Sequence, residues 1–377
     1  MKILLLTTHL DIGGITSYLA IVATGLKARG HDVIIASSGG IMAEMFITQG
    51  IPHVMLPIRT KSELHPAVLV SAGRLRKFLQ DHPVDLIHAQ TRVAQVVAQL
   101  LRWRTGVPFL STWHGFFRPH VGRRLFPCVG EQVIAISPPV QQHLLQAFRM
   151  PPTRVTLIEH GIPFEHFQAP SRERKRTLRQ EFGFAEEAFV VGTVARLVPS
   201  KGIDRLLRAL AHVVPTVPRL HGLIVGSGPA EARLRALTHR LGLTQRVVFF
   251  GSQADLIAPL SVMDCFVLPI LGHEGFGLVL LEAMAMELPV IATMQPALRH
   301  VLAEGHAGIL VPPGDVAALG QAIRQLATQP VLAEQMALRG YAHVREAYSA
   351  TRMLDQLERV YQQVVRTHHA AIASRQP

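Results

Sequence analysis

Cysteine is scarce in this chain of 377 residues: Cys128 and Cys265 stand alone and far apart. They form no zinc-ligand pattern and give little reason to expect a disulfide. Long apolar runs are missing too. Asp264 and Glu282 interrupt the best candidates before they reach the ~18 residues a membrane-crossing helix needs. The opening MKILLLTTHLDIGG has a lysine and a short apolar run, but Thr7, Thr8, His9 and Asp11 break it too early for a secretory signal. A cytoplasmic chain is therefore expected. No Gly-x-Gly-x-x-Gly occurs, which counts against a dinucleotide-dependent dehydrogenase. Charged residues make up only 17% of the chain and hydrophobic ones 49%. That balance excludes a disordered chain and supplies material for two cores, as expected above the roughly 250–300 residues at which one core stops growing.

The charge that is present is unbalanced. The formal net charge is +12, with 16 Lys and Arg against 9 Asp and Glu in residues 1–165 and 22 against 17 in the rest. Nucleic acid, an anionic membrane surface and an anionic substrate are all attracted by such an excess, and so is nothing in particular if the cations only solvate exposed faces.

Apolar runs and amphipathic stretches alternate along the chain. Strands are expected near Lys2–Thr8, Val33–Ala36, His53–Leu56, Leu86–Ala89, Pro108–Ser111 and Val133–Ile136, with helices at Pro66–Gln80, Arg92–Arg102 and Pro139–Phe148. This spacing argues for a parallel, doubly wound α/β sheet. Gly13-Gly14 forms the first turn from strand to helix, where backbone can approach a ligand with a helix N-terminus behind it. His114 follows a strand end beside Gly115, the place of a cleft residue in such sheets. The next segment, Phe116 to Phe126, mixes aromatics with arginines and suits a membrane interface or an acceptor, with Arg74, Arg76, Lys77, Arg102 and Arg104 as possible extensions. A basic run, SRERKRTLRQEFG from Ser171, then reads as a linker and the start of a second domain, and as a solvated helix rather than a phosphate contact.

The alternation resumes at Phe189. Arg196 and Lys201 follow that strand in a loop before a helix, placed to neutralise a diphosphate by a guanidinium fork and a point charge. Strands Leu220–Val225 and Val247–Phe250 end in Gly226 and Gly251. The stretch GHEGFGLVLLEAMAMELPVIAT, Gly272–Thr293, sets Glu274 in a glycine-rich turn, opens a helix near Phe276 and carries Glu282 one to two turns into it. Loop N–H groups, a helix N-terminus and two carboxylates suit a polyhydroxylated phosphate ester such as a sugar nucleotide.

Two of these patterns, Glu274 to Glu282 with GFGLVLLEAMA and Gly192-x-x-x-Arg196-Leu197-x-x-x-Lys201-Gly202, resemble the signatures of family-4 glycosyltransferases of GT-B fold. The resemblance implies an α/β chain of two Rossmann-like, doubly wound parallel-sheet domains facing an interdomain cleft: residues 1–165 on the acceptor side, 166–348 binding the nucleotide sugar, and 349–377 as a helix packing back on the first domain. It implies a metal-independent, hexosyltransferase-type enzyme that transfers a sugar from a nucleoside diphosphate sugar, with retention of configuration, to a hydroxyl of a lipid-linked or cell-surface polysaccharide acceptor. The absence of any Asp-x-Asp fits a site without metal, and no cofactor is expected beyond the donor as co-substrate. His114, Arg196, Lys201 and Glu274 become the catalytic candidates. Gly13, Gly14, Gly226, Gly251, Gly275, Phe276, Gly277, Leu278 and Glu282 become the donor-binding ones, with Glu282 on the ribose. Partners are the donor, the acceptor and the inner membrane surface, not nucleic acid, so the chain is expected to be peripheral at the cytoplasmic face. Its departure from the pattern at Met294–His300 leaves the donor sugar open. Rival readings are an epimerase or phosphorylase on the same scaffold and a non-catalytic basic membrane-binding protein.

Overall fold

The computed structural model describes residues 1–119 and 121–374. The chain divides into two compact units: Met1–Gly161 with the chain from Ala350 onward, and Ile162–Ser349. Within the second unit, Ile162 and Ser349 form a parallel bridge and Ile162 N–H bonds the Tyr348 carbonyl at 2.9 Å, so its two ends lie side by side.

The first unit contains β1 (Lys2–Leu6), β2 (Asp32–Ser37), β3 (His53–Met55), β4 (Leu86–Ala89), β5 (Phe109–Trp113), β6 (Gln132–Ala135) and β7 (Val155–Leu157). They form one parallel sheet in the order β3-β2-β1-β4-β5-β6-β7. Successive side chains of a strand point to opposite faces, and β1 is apolar on both. Ile3 and Leu5 pack with residues of the helices Gly14–Ala28 and Ala350–Ala373, while Leu4 and Leu6 pack with those of Pro66–Asp81 and Arg92–Thr105. Thr91 caps Arg92–Thr105 through a bond from Ala94 N–H, and left-handed Gly106 ends it at φ +78°. The terminal helix belongs to this unit. Arg29 binds Asp355 at 2.7 Å and Glu358 at 2.5 Å, and His31 binds Glu358 at 2.6 Å.

The second unit contains β8 (Phe189–Val194), β9 (Leu220–Val225), β10 (Val247–Phe250), β11 (Cys265–Leu268), β12 (Val290–Thr293) and β13 (Ile309–Val311), a parallel sheet in the order β10-β9-β8-β11-β12-β13. The helices Ile203–Val213 and Val316–Thr328 cover one face, with Leu206, Leu210 and Ile323 in its core.

The basic run from Ser171 is the solvated helix expected of it over Arg172, Arg174 and Arg176, which are exposed, and departs from it at two positions. It forms the helix Arg172–Glu181, but Lys175 and Arg179 turn inward onto Asp264 at 3.0 and 2.5 Å, and Asp264 also accepts from Val190 N–H at 2.8 Å. Asp264 immediately precedes β11, so these two cations fasten the strand N-termini instead of facing solvent. Among the described residues, no helix is long and apolar enough to cross a membrane.

Candidate active site

In doubly wound sheets ligands gather beyond the strand C-termini, where the strand order reverses. That point lies between β1 and β4 in the first sheet and between β8 and β11 in the second.

In the second unit the loop leaving β8 is gripped on both sides. Ala195 N–H bonds Val225 O at 3.0 Å and Leu197 N–H bonds Ser227 O at 2.9 Å, tying it to the loop after β9. Ser200 O accepts from the N–H groups of Leu271 and Gly272 at 2.9 and 3.1 Å, tying it to the loop after β11. The backbones come so close that three positions require glycine, among them Gly228, whose Cβ would lie 2.4 Å from Leu197 O. A Cβ on Gly226 (φ +135°) would sit 2.0 Å from Ala195 O, and one on Gly202 (φ +68°) 1.9 Å from Pro269 O. This interlock brings Lys201 to Glu274, Nζ to Oε2 at 2.7 Å. Arg196 lies exposed in the same loop and makes no ion pair among the described residues.

Gly277, at φ +92°, opens the helix Leu278–Ala285 with no capping side chain, so capping consumes none of the first N–H groups. The helix starts two residues later than the sequence suggests because Gly277 is left-handed, and Phe276 before it is buried edge-on against Tyr348, ring centroids 5.7 Å apart. Gly275 is buried beside it. Glu282 falls in the second turn, and burial raises its pKa to about 7, with no ion pair to oppose the shift among the described residues. At neutral pH such a carboxyl exists in both protonation states. Gly251 follows β10, where an added Cβ would meet nothing within 4 Å, so steric reasons do not explain this glycine. The departing segment after β12 forms the helix Pro296–Val301.

At the first unit's reversal point the charged groups are paired, Arg59 with Asp11 at 2.5 Å and Arg92 with Glu63 at 2.7 Å, and the groups around His114 are neutral. The hydroxyls of Thr8 and Thr91 meet at 2.6 Å across that point. Gly13 and Gly14 begin the helix Gly14–Ala28, and a Cβ on either would enter open space. His114, directly after β5, donates from Nε2 to Gln90 Oε1 at 2.9 Å. Its ring stacks with His160 at 5.7 Å and meets Tyr18 edge-on at 5.1 Å. Burial first, then the neighbouring His160 and His88 imidazoles, hold its pKa well below the usual histidine value. Burial also takes His88 and His160 down to about 3 and Tyr18 up to about 12. His88 bonds Tyr361 of the terminal helix at 2.6 Å through Nδ1 and Thr112 at 2.7 Å through Nε2. Sequence reasoning assigned none of these neighbours a role. The readable signal was positional: His88 and Gln90 alternate at the end of β4, on one side of the strand that borders β5.

In the segment 116–126, His120 lies outside the described residues. Phe117 packs on Trp113 at 4.9 Å and Phe116 on His143 at 5.4 Å, so these rings do not form a free aromatic face. Arg123 and Arg92 converge on Glu63, each at 2.7 Å, and Arg92 also binds the carbonyls of Phe126 and Pro127. What remains outward is Val121, Leu125 and Phe126, with Leu64 next to Glu63 and the exposed Arg118 and Arg124. Arg102 is occupied by Glu131 at 2.6 Å, whereas Arg74, Arg76, Lys77 and Arg104 are exposed.

Two Rossmann-like units with parallel sheets of seven and six strands define a GT-B architecture. Anabaena HepE in complex with UDP and glucose superimposes with a TM-score of 0.85 at 25% identity, over 96% of this chain and 99% of that one. The chain belongs to the family-4, group 1 glycosyltransferases and is a transferase enzyme. The profile described as Glycosyltransferase Family 4 matches residues 12–166, and that described as Glycosyl transferases group 1 matches 174–343. A phosphatidyl-myo-inositol mannosyltransferase of Mycobacterium leprae is 29% identical over 93% of both chains. A capsular polysaccharide biosynthesis glycosyltransferase of Staphylococcus aureus is 26% identical over 89% of this chain and 91% of its own.

Proposed function

We propose that this glycosyltransferase moves a hexosyl group from a nucleoside diphosphate sugar to a hydroxyl of a lipid-linked or cell-surface polysaccharide acceptor, with retention at the anomeric carbon. The observation that carries the reading is the interlocked loop that sets Lys201 on Glu274 with Arg196 exposed beside it. As the glycosidic bond breaks, negative charge grows on the leaving diphosphate. Preorganised cations and helix-terminal N–H groups stabilise that charge with little reorganisation. Arg196, Lys201 and the helix start at Gly277–Leu278 take this role, Glu274 binds sugar hydroxyls, and Glu282 binds the ribose. Gly226, Gly251, Gly275 and Phe276 shape the donor pocket. Gly13, Gly14 and His114 contribute from the first unit. Neutralisation by cations makes a metal unnecessary, and the leaving phosphate takes the acceptor's proton.

The acceptor class is supported by the Mycobacterium leprae and Staphylococcus aureus relatives, whose names specify a phosphatidyl-inositol substrate and a capsular polysaccharide. A lipid-linked acceptor requires approach to a membrane. The outward apolar residues Val121, Leu125, Phe126 and Leu64 beside Arg118 and Arg124 fit the headgroup region of an anionic leaflet at the cytoplasmic face.

The test is a screen of nucleotide sugars for thermal stabilisation, followed by mass analysis of products with and without a polyprenyl- or inositol-linked acceptor. A ligand at about 100 times its Kd stabilises the folded state by about 2.7 kcal/mol. Stabilisation by one donor class and an acceptor product heavier by one sugar are expected. Failure of every nucleotide sugar to raise Tm overturns the donor assignment, and an altered sugar nucleotide formed without acceptor points to an epimerase.

A further inference from the structure

Gln90 stands where the first sheet's strand order reverses. It follows β4 directly, its N–H bonds Leu6 O at 2.9 Å, and its side chain is 2% exposed. The amide oxygen lies 2.9 Å from His114 Nε2, while its amide nitrogen is buried with no hydrogen-bond partner among the described residues. A buried position that leaves a donor unmatched favours an apolar side chain on packing grounds alone. The amide at this position is therefore matched to the imidazole rather than to the core. We propose that Gln90 is a positioning residue for His114: by accepting from Nε2–H it fixes the ring in the tautomer whose Nδ1 lone pair accepts a hydrogen bond from a substrate hydroxyl.

The chemistry follows from what each atom can do. An amide oxygen only accepts, so Nε2 carries the hydrogen, and a neutral imidazole then has Nδ1 bare. The groups facing the ring are Tyr18 from the first helix, His88 from β4 and His160 after β7. Each is kept uncharged by burial. His88 has both nitrogens engaged, by Tyr361 and Thr112, and does not compete for Gln90. A neutral ring with a bare Nδ1 offers nothing to a phosphate and accepts well from an alcohol. His114 thus reads a sugar or acceptor hydroxyl. The inference rests on the proposed membership of His114 in the transfer site.

The test uses the full-length protein labelled with 15N-histidine, read by long-range 1H–15N correlation, alongside transfer kinetics. For the unsubstituted protein a single His114 Nε2–H tautomer is expected, unchanged between about pH 5.5 and about pH 8, where a free histidine titrates. Gln90→Leu, checked for an unchanged circular dichroism spectrum, mixes the tautomers and lowers kcat by roughly tenfold, less than the ~10²–10⁴-fold of losing an acid–base group outright because the imidazole stays in place, with donor KM little moved. Gln90→Glu places a carboxylate opposite Nε2–H, which favours the charged ring and raises its pKa. Transfer by that variant gains an acidic limb, lost as pH falls through the raised pKa and restored above it. An Nδ1–H tautomer in the unsubstituted protein, or a pure Nε2–H tautomer and flat profile in both variants, overturns the proposal. His114→Ala with unchanged transfer instead removes His114 from the site, while the spectra still decide whether Gln90 holds its tautomer.

Discussion

The two sheets share one winding rule and finish it with opposite electrostatics. Beyond β8 and β11 the side chains are charged and reachable: Arg196 is exposed, and Lys201 with Glu274 stays partly open to water. Around His114, beyond β4 and β5, they are buried and neutral, with His88, His114, His160, Tyr18 and Tyr361 all driven by desolvation toward their uncharged forms, and the nearby Arg92 and Arg123 are spent on Glu63. A site for a diphosphate must present charge, and a site for hydroxyl groups gains from neutral groups of fixed orientation. The contrast matches the division of labour proposed between donor and acceptor.

Removing the exposed cation is the strongest way to break this contrast. Arg196→Ala is expected to cut turnover roughly 10²–10³-fold, the range for losing one preorganised donor at a developing oxyanion. Tm should stay within about a degree, since surface changes away from structural contacts rarely exceed ~0.5 kcal/mol. A variant with full turnover would remove the charged rim from the chemistry. Lys201 and Glu274 sharpen the picture as a pair. In a double-mutant cycle of Lys201→Met and Glu274→Gln, the double variant should lose less than the product of the single losses, with a coupling of about 1–2 kcal/mol. Strict additivity would mean that their contact at 2.7 Å carries no function.

The neutral rim should respond in stability before it responds in rate. Tyr361→Phe strips the hydroxyl from His88 Nδ1 and leaves a buried ring nitrogen unmatched, at a cost of about 1–3 kcal/mol. The loss is expected to be insensitive to salt, because no charge is involved, whereas donor affinity at the charged rim should weaken as ionic strength rises. Chemical denaturation at low and high salt measures the first, and titration calorimetry the second.

The charged rim was legible in the sequence and the neutral rim largely was not. Arg196 with Lys201, and Glu274 with Glu282, fall within short windows after a strand, so local spacing alone places them. The surroundings of His114 come from residues 18, 88, 90, 112, 160 and 361, which only the winding of the sheet and the returning terminal helix bring together. Alternation of apolar runs fixed the parallel α/β class, since β1 carries Ile3 and Leu5 to one core and Leu4 and Leu6 to the other. In the basic run from Ser171 the solvated helix was legible but its two inward cations were not, because charge density does not say where a side chain ends. Lys175 and Arg179 reach inward to Asp264, more than eighty residues away.

Glu282 is the one acid on the charged rim's helix that behaves like the neutral rim, and its titration gives the smallest and most discriminating effect. Its folded-state pKa is raised to about 7 by burial, above the usual 4.5. A raised pKa means the folded state binds the proton more tightly, so this contribution to stability is full below about pH 4.5 and is lost as pH rises through 7. Between about pH 6 and about pH 8 the loss is about 1 kcal/mol, or roughly 2–4 °C in Tm for a domain of this size. Glu282→Gln should abolish that slope. A ribose hydroxyl that donates to the carboxylate stabilises its ionised form, so donor binding should release a proton near pH 7 and tighten as pH rises. Calorimetry in two buffers of different ionisation enthalpy detects that proton. If binding releases none, in both the natural chain and the Gln variant, Glu282 does not touch the donor and its burial serves only the helix.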